Sequence, residues 1–152
     1  AVCTGELPES GVIDAPIGRK DGSVVTREVR DDGARAVTHY ERLKYENGYS
    51  LAHVWLETGR THQIRVHMKH IGHILFNDER YGGDEIIRGN LSSSYKAFIH
   101  NCFDLCPRQA LHARTLGFVH PTTGKEMFFT SDIPQDLTDL LEKWRKYIKA
   151  LQ

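Results

Sequence analysis

Residues 56–67 read Leu56-Glu57-Thr58-Gly59-Arg60-Thr61-His62-Gln63-Ile64-Arg65-Val66-His67, and this stretch decides how the chain folds. The residues before Gly59 are rich in the aromatic and branched types that β-strands favour. After that glycine, Ile64, Met68 and Ile71 recur at the spacing of an α-helix. A glycine between two such patterns lets the backbone turn sharply. The stretch therefore predicts a strand that turns at Gly59 into a helix.

Hairpin signals place antiparallel strands on both sides of this junction. Asn47-Gly48 is the strongest of them and joins a strand within residues 34–45 to one within residues 49–58. An earlier strand is predicted within residues 24–30, and a second hairpin around residues 121–124. The sequence thus predicts a mainly antiparallel sheet.

Helical patterns flank the predicted sheet. One is the helix that follows Gly59, and another lies beyond Pro134 as a stripe of Leu137, Leu140, Leu141, Trp144 and Ile148. We interpret the stripe as core packing, with an interaction surface as the alternative. Residues 95–106 fit a helix or a strand equally well. The predicted fold class is α+β, with a mainly antiparallel sheet and flanking helices in one domain.

The composition is that of a globular protein without overall attraction for nucleic acid. Hydrophobic residues make up 39% and charged residues 26% of the 152 residues, and 20 basic residues balance 20 acidic ones. An RNA partner would therefore have to contact a local basic patch. No apolar run reaches the roughly 20 residues that a membrane helix needs. The three cysteines form no even disulfide framework and favour the reducing cytoplasm.

Polar residues with a chemistry of their own crowd the predicted helix start. The cluster comprises Arg60, Thr61, His62, Gln63 and Arg65, with Ile64 as an apolar neighbour. Guanidinium groups and unpaired backbone N–H groups at a helix start suit a phosphate or a carboxylate. An apolar side chain beside them suits a base. Each residue alone is more often solvated, salt-bridged or structural, so the combination is what favours a binding site.

The same stretch resembles the third conserved motif of the RluA-type pseudouridine synthases. The resemblance runs through residues 58–67 and continues in Ile71-Gly72-His73, Asp78 and Tyr81-Gly82. Flanking segments resemble the same family, namely Pro16-Ile17 with Arg19, Ala36 with Thr38 and Tyr40, and Leu111-His112-Ala113 before His120-Pro121. The chain is thus identified as a member of this family from Ala1 to about Pro134.

The resemblance implies an activity and a set of roles. These enzymes isomerise uridine to pseudouridine in structured RNA, here ribosomal RNA in preference to transfer RNA, without a cofactor or a metal. They use the aspartate of an H-R-L-D motif. By motif position, Arg65 would pair with that aspartate and keep it ionised, and Ile64 would contact the base. The residues expected to face the RNA are Arg60, Thr61, His62 and Gln63. The implied fold is the C-terminal half of the synthase catalytic fold.

One part of the family's pattern is missing, because no aspartate of this chain follows Arg-Leu. The chain also opens with a β-like run at Ala1–Gly5, just past the place where the family has a tyrosine. We therefore expect residues 1–152 to be the C-terminal portion of a synthase catalytic domain and to be inactive alone. Removal of an initiator methionine is the alternative explanation of the start at Ala1. A non-catalytic RNA-binding module derived from a synthase is the alternative function.

Two further expectations concern metals and self-association. His67, His70 and His73 recur every three residues, and Cys102 and Cys106 are four apart. Such side chains are candidate ligands of a zinc ion. Neighbouring cationic side chains and the lack of a C-x-x-C pair argue against zinc, and we predict no metal site. A sheet cut at its edge would expose unpaired backbone and apolar surface, so we also expect a tendency to self-associate.

Overall fold

An antiparallel sheet forms the centre of the molecule. The computed structural model describes residues 1–86 and 92–152. Its strands are β1 (Val2–Thr4), β2 (Ser10–Asp14), β3 (Ile17–Arg19), β4 (Arg27–Val29), β5 (Val37–Glu46), β6 (Tyr49–Leu56), β7 (Thr115–Val119) and β8 (Glu126–Thr130). Four of them pair in the order β1-β6-β5-β2, and β3–β4 and β7–β8 form separate pairs. All these pairings are antiparallel, as predicted.

The Asn47-Gly48 hairpin is confirmed. The two residues have φ of 43° and 98°, which is the left-handed backbone that a tight turn between antiparallel strands requires and that asparagine and glycine tolerate best. The strand predicted within residues 24–30 is shorter than expected. The Ser23 hydroxyl accepts hydrogen bonds from the backbone N–H groups of Val25 and Thr26 at 3.3 and 2.9 Å, so the chain is still turning where the strand was expected to begin.

Three α-helices and one short 3-10 turn complete the fold. They are α1 (Gln63–His70), the 3-10 turn Glu79–Tyr81, α2 (Ser93–Leu105) and α3 (Gln135–Leu151). The segment that fitted helix or strand is thus helical, and the Ser92 side chain caps it by accepting a hydrogen bond from Tyr95 N at 3.2 Å. The preceding residues 87–91 lie outside the described part of the chain.

The α3 stripe packs into the main core, as predicted. Leu137 and Leu140 are buried, and the Trp144 ring meets Tyr49 edge-on with a centroid distance of 5.2 Å. Such edge-to-face pairs stabilise a core beyond the area that they bury. The stripe therefore has a structural role in this molecule.

The β7–β8 hairpin exposes apolar side chains on both of its faces. Phe128 is 71% exposed and Leu116 is 60% exposed. The strand β2 lies at one end of the main sheet, and no described residue pairs with its outer side. Self-association through such an edge stays a prediction. Within residues 1–86 and 92–152, no helix combines the length and apolarity that crossing a membrane demands.

Candidate functional site

The helix α1 begins later than the sequence pattern suggests. The pattern places residues 60–62 in its first turn, but α1 begins at Gln63. His62 has a φ of 56°, a left-handed backbone that an α-helix does not contain. The Gln63 Oε1 atom accepts hydrogen bonds from Arg60 N at 3.0 Å and from Thr58 Oγ1 at 2.8 Å, so these residues form a turn. The Arg60 N–H that could have bound a phosphate is used within the chain.

A row of buried polar groups ties α1 to β5. The Gln63 Nε2 atom donates to Val37 O at 2.9 Å and to Thr38 Oγ1 at 3.0 Å. His67 Nδ1 lies 2.7 Å from Thr38 Oγ1, and His67 Nε2 lies 2.8 Å from Ala15 O. Because a carbonyl only accepts, Nε2 carries the proton and Nδ1 accepts from the Thr38 hydroxyl. Gln63 is 3% exposed, so its predicted contact with RNA would require this network to open.

The buried His67 makes the stability of the fold depend on pH. Desolvation is the main cause that lowers the pKa of this imidazole below its ordinary 6.5. The unfolded chain takes up a proton there as the pH falls through about 6.5, whereas the folded chain resists protonation. The free energy of unfolding should therefore be retained above pH ~6.5 and fall below it, by at most about 1.4 kcal/mol per pH unit for this group. Urea unfolding at about pH 7.5 and 5.5 measures this loss.

A pair of variants separates this histidine from the others. His67→Gln cannot titrate and should flatten the pH dependence of stability, whereas His100→Gln alters an exposed histidine and should leave it unchanged. A smaller slope should remain in His67→Gln, because burial also lowers the pKa of His62. Equal slopes in the two variants would show that His67 is not the group responsible.

Arg65 is held by a carboxylate of this chain to which the sequence had assigned no role. Its Nε donates to Asp78 Oδ2 at 2.9 Å and its Nη2 donates to Asp78 Oδ1 at 2.8 Å. The Arg65 side chain is 13% exposed and that of Asp78 is 0% exposed. The hydrogen bonds that Arg65 donates to Asp78 are the main cause that raises the pKa of Arg65, so the guanidinium stays charged. Among the described residues, none accepts a hydrogen bond from Arg65 Nη1.

A tight loop presents Asp78 to this arginine. Asn77 takes a left-handed φ of 56°, and its side chain donates to Cys106 O at 2.8 Å. Gly83 N closes the loop by donating to Asp78 O at 2.7 Å. A side chain at Gly83 would collide with the carbonyl of Leu75, so the loop needs glycine there. The aspartate position is thus fixed by the backbone around it.

Tyr81 joins the arginine to its surroundings. The Arg65 guanidinium carbon lies 4.9 Å from the centre of the Tyr81 ring, and Lys69 Nζ lies 5.9 Å from it, both within the range of cation–π attraction. The Tyr81 hydroxyl accepts a hydrogen bond from Arg27 N at 3.1 Å and lies 2.6 Å from His62 Nδ1. The loop after α1, the helix α1 and the strand β4 therefore meet at one tyrosine.

The other predicted site residues lie around this centre. Arg60 is exposed, and its Nε donates to Arg35 O at 2.8 Å. Thr61 is exposed as well. Ile64 is half-buried and packs on a core cluster that includes Met68. The structure thus brings Arg65 and His62 together on Tyr81, while Arg60 and Thr61 face solvent. Asp78 and Tyr81 were given no role from the sequence, and their place in the quoted motif is the signal that could have identified them.

The residues considered for zinc are used in other ways. His67 and His73 each place a ring nitrogen on a backbone carbonyl, at 2.8 and 2.7 Å, and His70 is exposed. Cys102 and Cys106 are buried free thiols, and desolvation raises the pKa of Cys102 to about 12, which disfavours the thiolate that binds metals. In the described ranges, no cluster of three or more histidine, cysteine or acidic side chains could hold an ion.

Comparisons with known proteins agree on one family. The model of the RNA pseudouridylate synthases matches residues 1–70. The chain is 41% identical to ribosomal large subunit pseudouridine synthase D of Vibrio vulnificus, over 96% of this chain and 44% of that protein. It is 42% identical to an uncharacterized RNA pseudouridine synthase of Bacillus subtilis, over 91% of this chain and 40% of that protein.

A solved structure has a similar fold. The human RNA pseudouridylate synthase domain containing 1 superposes with a TM-score of 0.67 at 23% identity, over 99% of this chain and 63% of that one. The chain spans less than half the length of the two bacterial relatives, at 44% and 40%. Because sequence similarity and fold agree, the chain belongs to the RluA-type family of RNA pseudouridine synthases.

Proposed function

We propose that this chain supplies the arginine side of a pocket that converts uridine to pseudouridine in structured RNA. Ribosomal RNA is the favoured substrate, because relatives from Vibrio vulnificus and Pseudomonas aeruginosa are named for the large ribosomal subunit. The observation that supports the activity is the placement of Arg65, which is largely buried, charged and fixed by Asp78.

The way in which Asp78 holds Arg65 leaves part of the guanidinium for a second partner. An arginine offers five N–H groups, and Asp78 uses only the Nε and Nη2 side. A catalytic aspartate at Nη1 would be kept ionised and oriented by this charge. A uridine flipped out of the RNA would then meet the carboxylate, with Ile64 as an apolar neighbour of the base.

We also propose that residues 1–152 act as the C-terminal portion of a larger catalytic domain that works in the cytoplasm. The exposed apolar hairpin of β7 and β8 and the open edge at β2 are surfaces that a further part of such a domain would cover. Relatives more than twice as long as the chain are consistent with this arrangement. A non-catalytic RNA-binding module is the alternative, and an activity assay distinguishes the two.

The isolated chain should produce no pseudouridine. It contains no aspartate after Arg-Leu, so the proposed chemistry lacks its reacting carboxylate. The measurement is the nucleoside content of a ribosomal RNA fragment, separated by chromatography after incubation with the chain. The matched control is a longer protein that joins an H-R-L-D segment from a relative to residues 1–152, which should be active. Turnover by the chain alone would contradict its inactivity, and inactivity of a folded longer protein would contradict the proposed activity.

A further inference from the structure

A pocket of about 300 Å³ adjoins Tyr81, and its lining includes none of the residues that the sequence had assigned to RNA. It is formed by the β3–β4 hairpin, the last turns of α1 and the 3-10 turn. Four cationic residues line it, namely Lys20, Arg27, Lys69 and Arg80. In a chain with equal numbers of acidic and basic residues, this is a local concentration of positive charge of the kind that an RNA partner requires.

The positive charge of this pocket is only partly offset from within the chain. Its lining contains one carboxylate, Glu28, against four cations. Glu28 lies 3.3 Å from Arg30, which pairs more closely with two aspartates at 2.7 and 2.8 Å. No ion pair joins any of the four cations to a described acidic residue. Arg80 Nη1 donates only to the neutral Thr26 hydroxyl, at 3.2 Å. Arg27 Nη1 donates to two backbone carbonyls at 3.1 and 3.2 Å. The pocket thus offers an anion the threonine hydroxyl and the remaining N–H groups of its four cations.

Two of these cations also act on a neighbouring histidine. Burial is the main cause that lowers the pKa of His62, and the guanidinium groups of Arg65, Arg80 and Arg27 lower it further. Asp78 opposes them, with a smaller effect than Arg65 or Arg80 but a larger one than Arg27. The charges of the pocket and of Arg65 therefore act on the same side chain.

The shape of the pocket favours a phosphate over a base. Its aromatic residue, Tyr81, is 3% exposed, so no ring face is available for a base to stack on. Arg27 N is tied to the Tyr81 hydroxyl at 3.1 Å, which holds the β3–β4 hairpin against α1. The cations are therefore carried by packed elements and converge on one space.

We propose that this pocket binds a phosphate of the RNA backbone next to the nucleotide that enters the Arg65 pocket. This inference rests on the proposed function for the identity of the RNA. Phosphate contacts set the position of an RNA and carry no sequence information. The pocket thus holds the strand beside the reacting nucleotide, whatever its sequence, and Tyr81 forms the wall that the two sites share.

Salt-dependent binding of a structured RNA to the chain tests this proposal. Fluorescence anisotropy of a labelled RNA stem-loop, between about 50 and 200 mM KCl, gives the slope of log affinity against log salt, and each phosphate contact contributes about 0.7–0.9 to it. The double variant K69A/R80A should bind more weakly, with a slope reduced by about 0.7–0.9, which is the contribution of one phosphate contact. The matched control K146A/K149A removes the same charge from α3 and should keep the wild-type slope. Circular dichroism verifies that both variants are folded.

Each outcome has a definite meaning. An equal loss of slope in the two double variants would overturn the proposal, because it would reflect net charge alone. Absence of RNA binding by the wild-type chain would overturn it as well, including the case in which inorganic phosphate still binds at Lys69 and Arg80 by nuclear magnetic resonance. This test needs no turnover, so its failure is separate from failure of the activity assay.

Discussion

Arg65→Ala, in a longer protein that carries the H-R-L-D motif, should lower the rate of pseudouridine formation by about 10²–10³-fold. The guanidinium is the charge that would orient a catalytic carboxylate, and its loss would leave that group misplaced and more readily protonated. The effect should fall on kcat, with RNA affinity nearly unchanged, because Arg65 is largely buried while the proposed phosphate contacts lie elsewhere. Single-turnover kinetics with saturating enzyme measure it directly.

Two further variants control for folding. Arg65→Lys keeps a positive charge for Asp78 and should stay folded, but it cannot form the two-point contact and should still lose much of the activity. Arg60→Ala removes an exposed arginine from the same motif and should change the rate by less than about threefold, since it lacks a buried contact. A folded Arg65→Ala protein with wild-type kcat would exclude Arg65 from the chemistry.

Local patterns in the sequence were sufficient for most of the fold. The Asn47-Gly48 turn and the α3 stripe each depend on neighbours in the chain, and both were located correctly. The strand before Gly59 was found as well, but it ends at Leu56, earlier than predicted. Residues 95–106 were left unassigned, although their sequence carries a helical signal. The buried positions 95, 98, 99, 102 and 106 follow the spacing of an α-helix with one buried face.

The candidate site was only partly predictable, because its contacts join residues that lie far apart in the chain. Arg65 stood out through the motif, but the partner that holds it lies thirteen residues away in a loop. The start of α1 was misplaced because the Gln63 side chain satisfies backbone groups that a helix would otherwise use. The basic pocket joins residues near 20–29 with residues 66–81, and no local pattern reports that these segments meet.

Asp78→Ala should cost about 3–5 kcal/mol of unfolding free energy in this chain, as expected when one member of a buried ion pair is removed. The Asp78 side chain is 0% exposed and that of Arg65 is 13% exposed, so water cannot readily replace the lost carboxylate. Urea unfolding followed by circular dichroism gives the value at neutral pH.

The chain contains a matched control for this prediction. Arg108 and Asp136 form the same two-point contact at 2.8 and 3.1 Å, but their side chains are 35% and 29% exposed. Asp136→Ala should therefore cost only about 1 kcal/mol. The double variant R65A/D78A should be less destabilised than the sum of its single variants, because neither charge is then left unpaired. If Asp78→Ala and Asp136→Ala lowered the unfolding free energy equally, burial would not make the Arg65–Asp78 ion pair more stabilising than the exposed one.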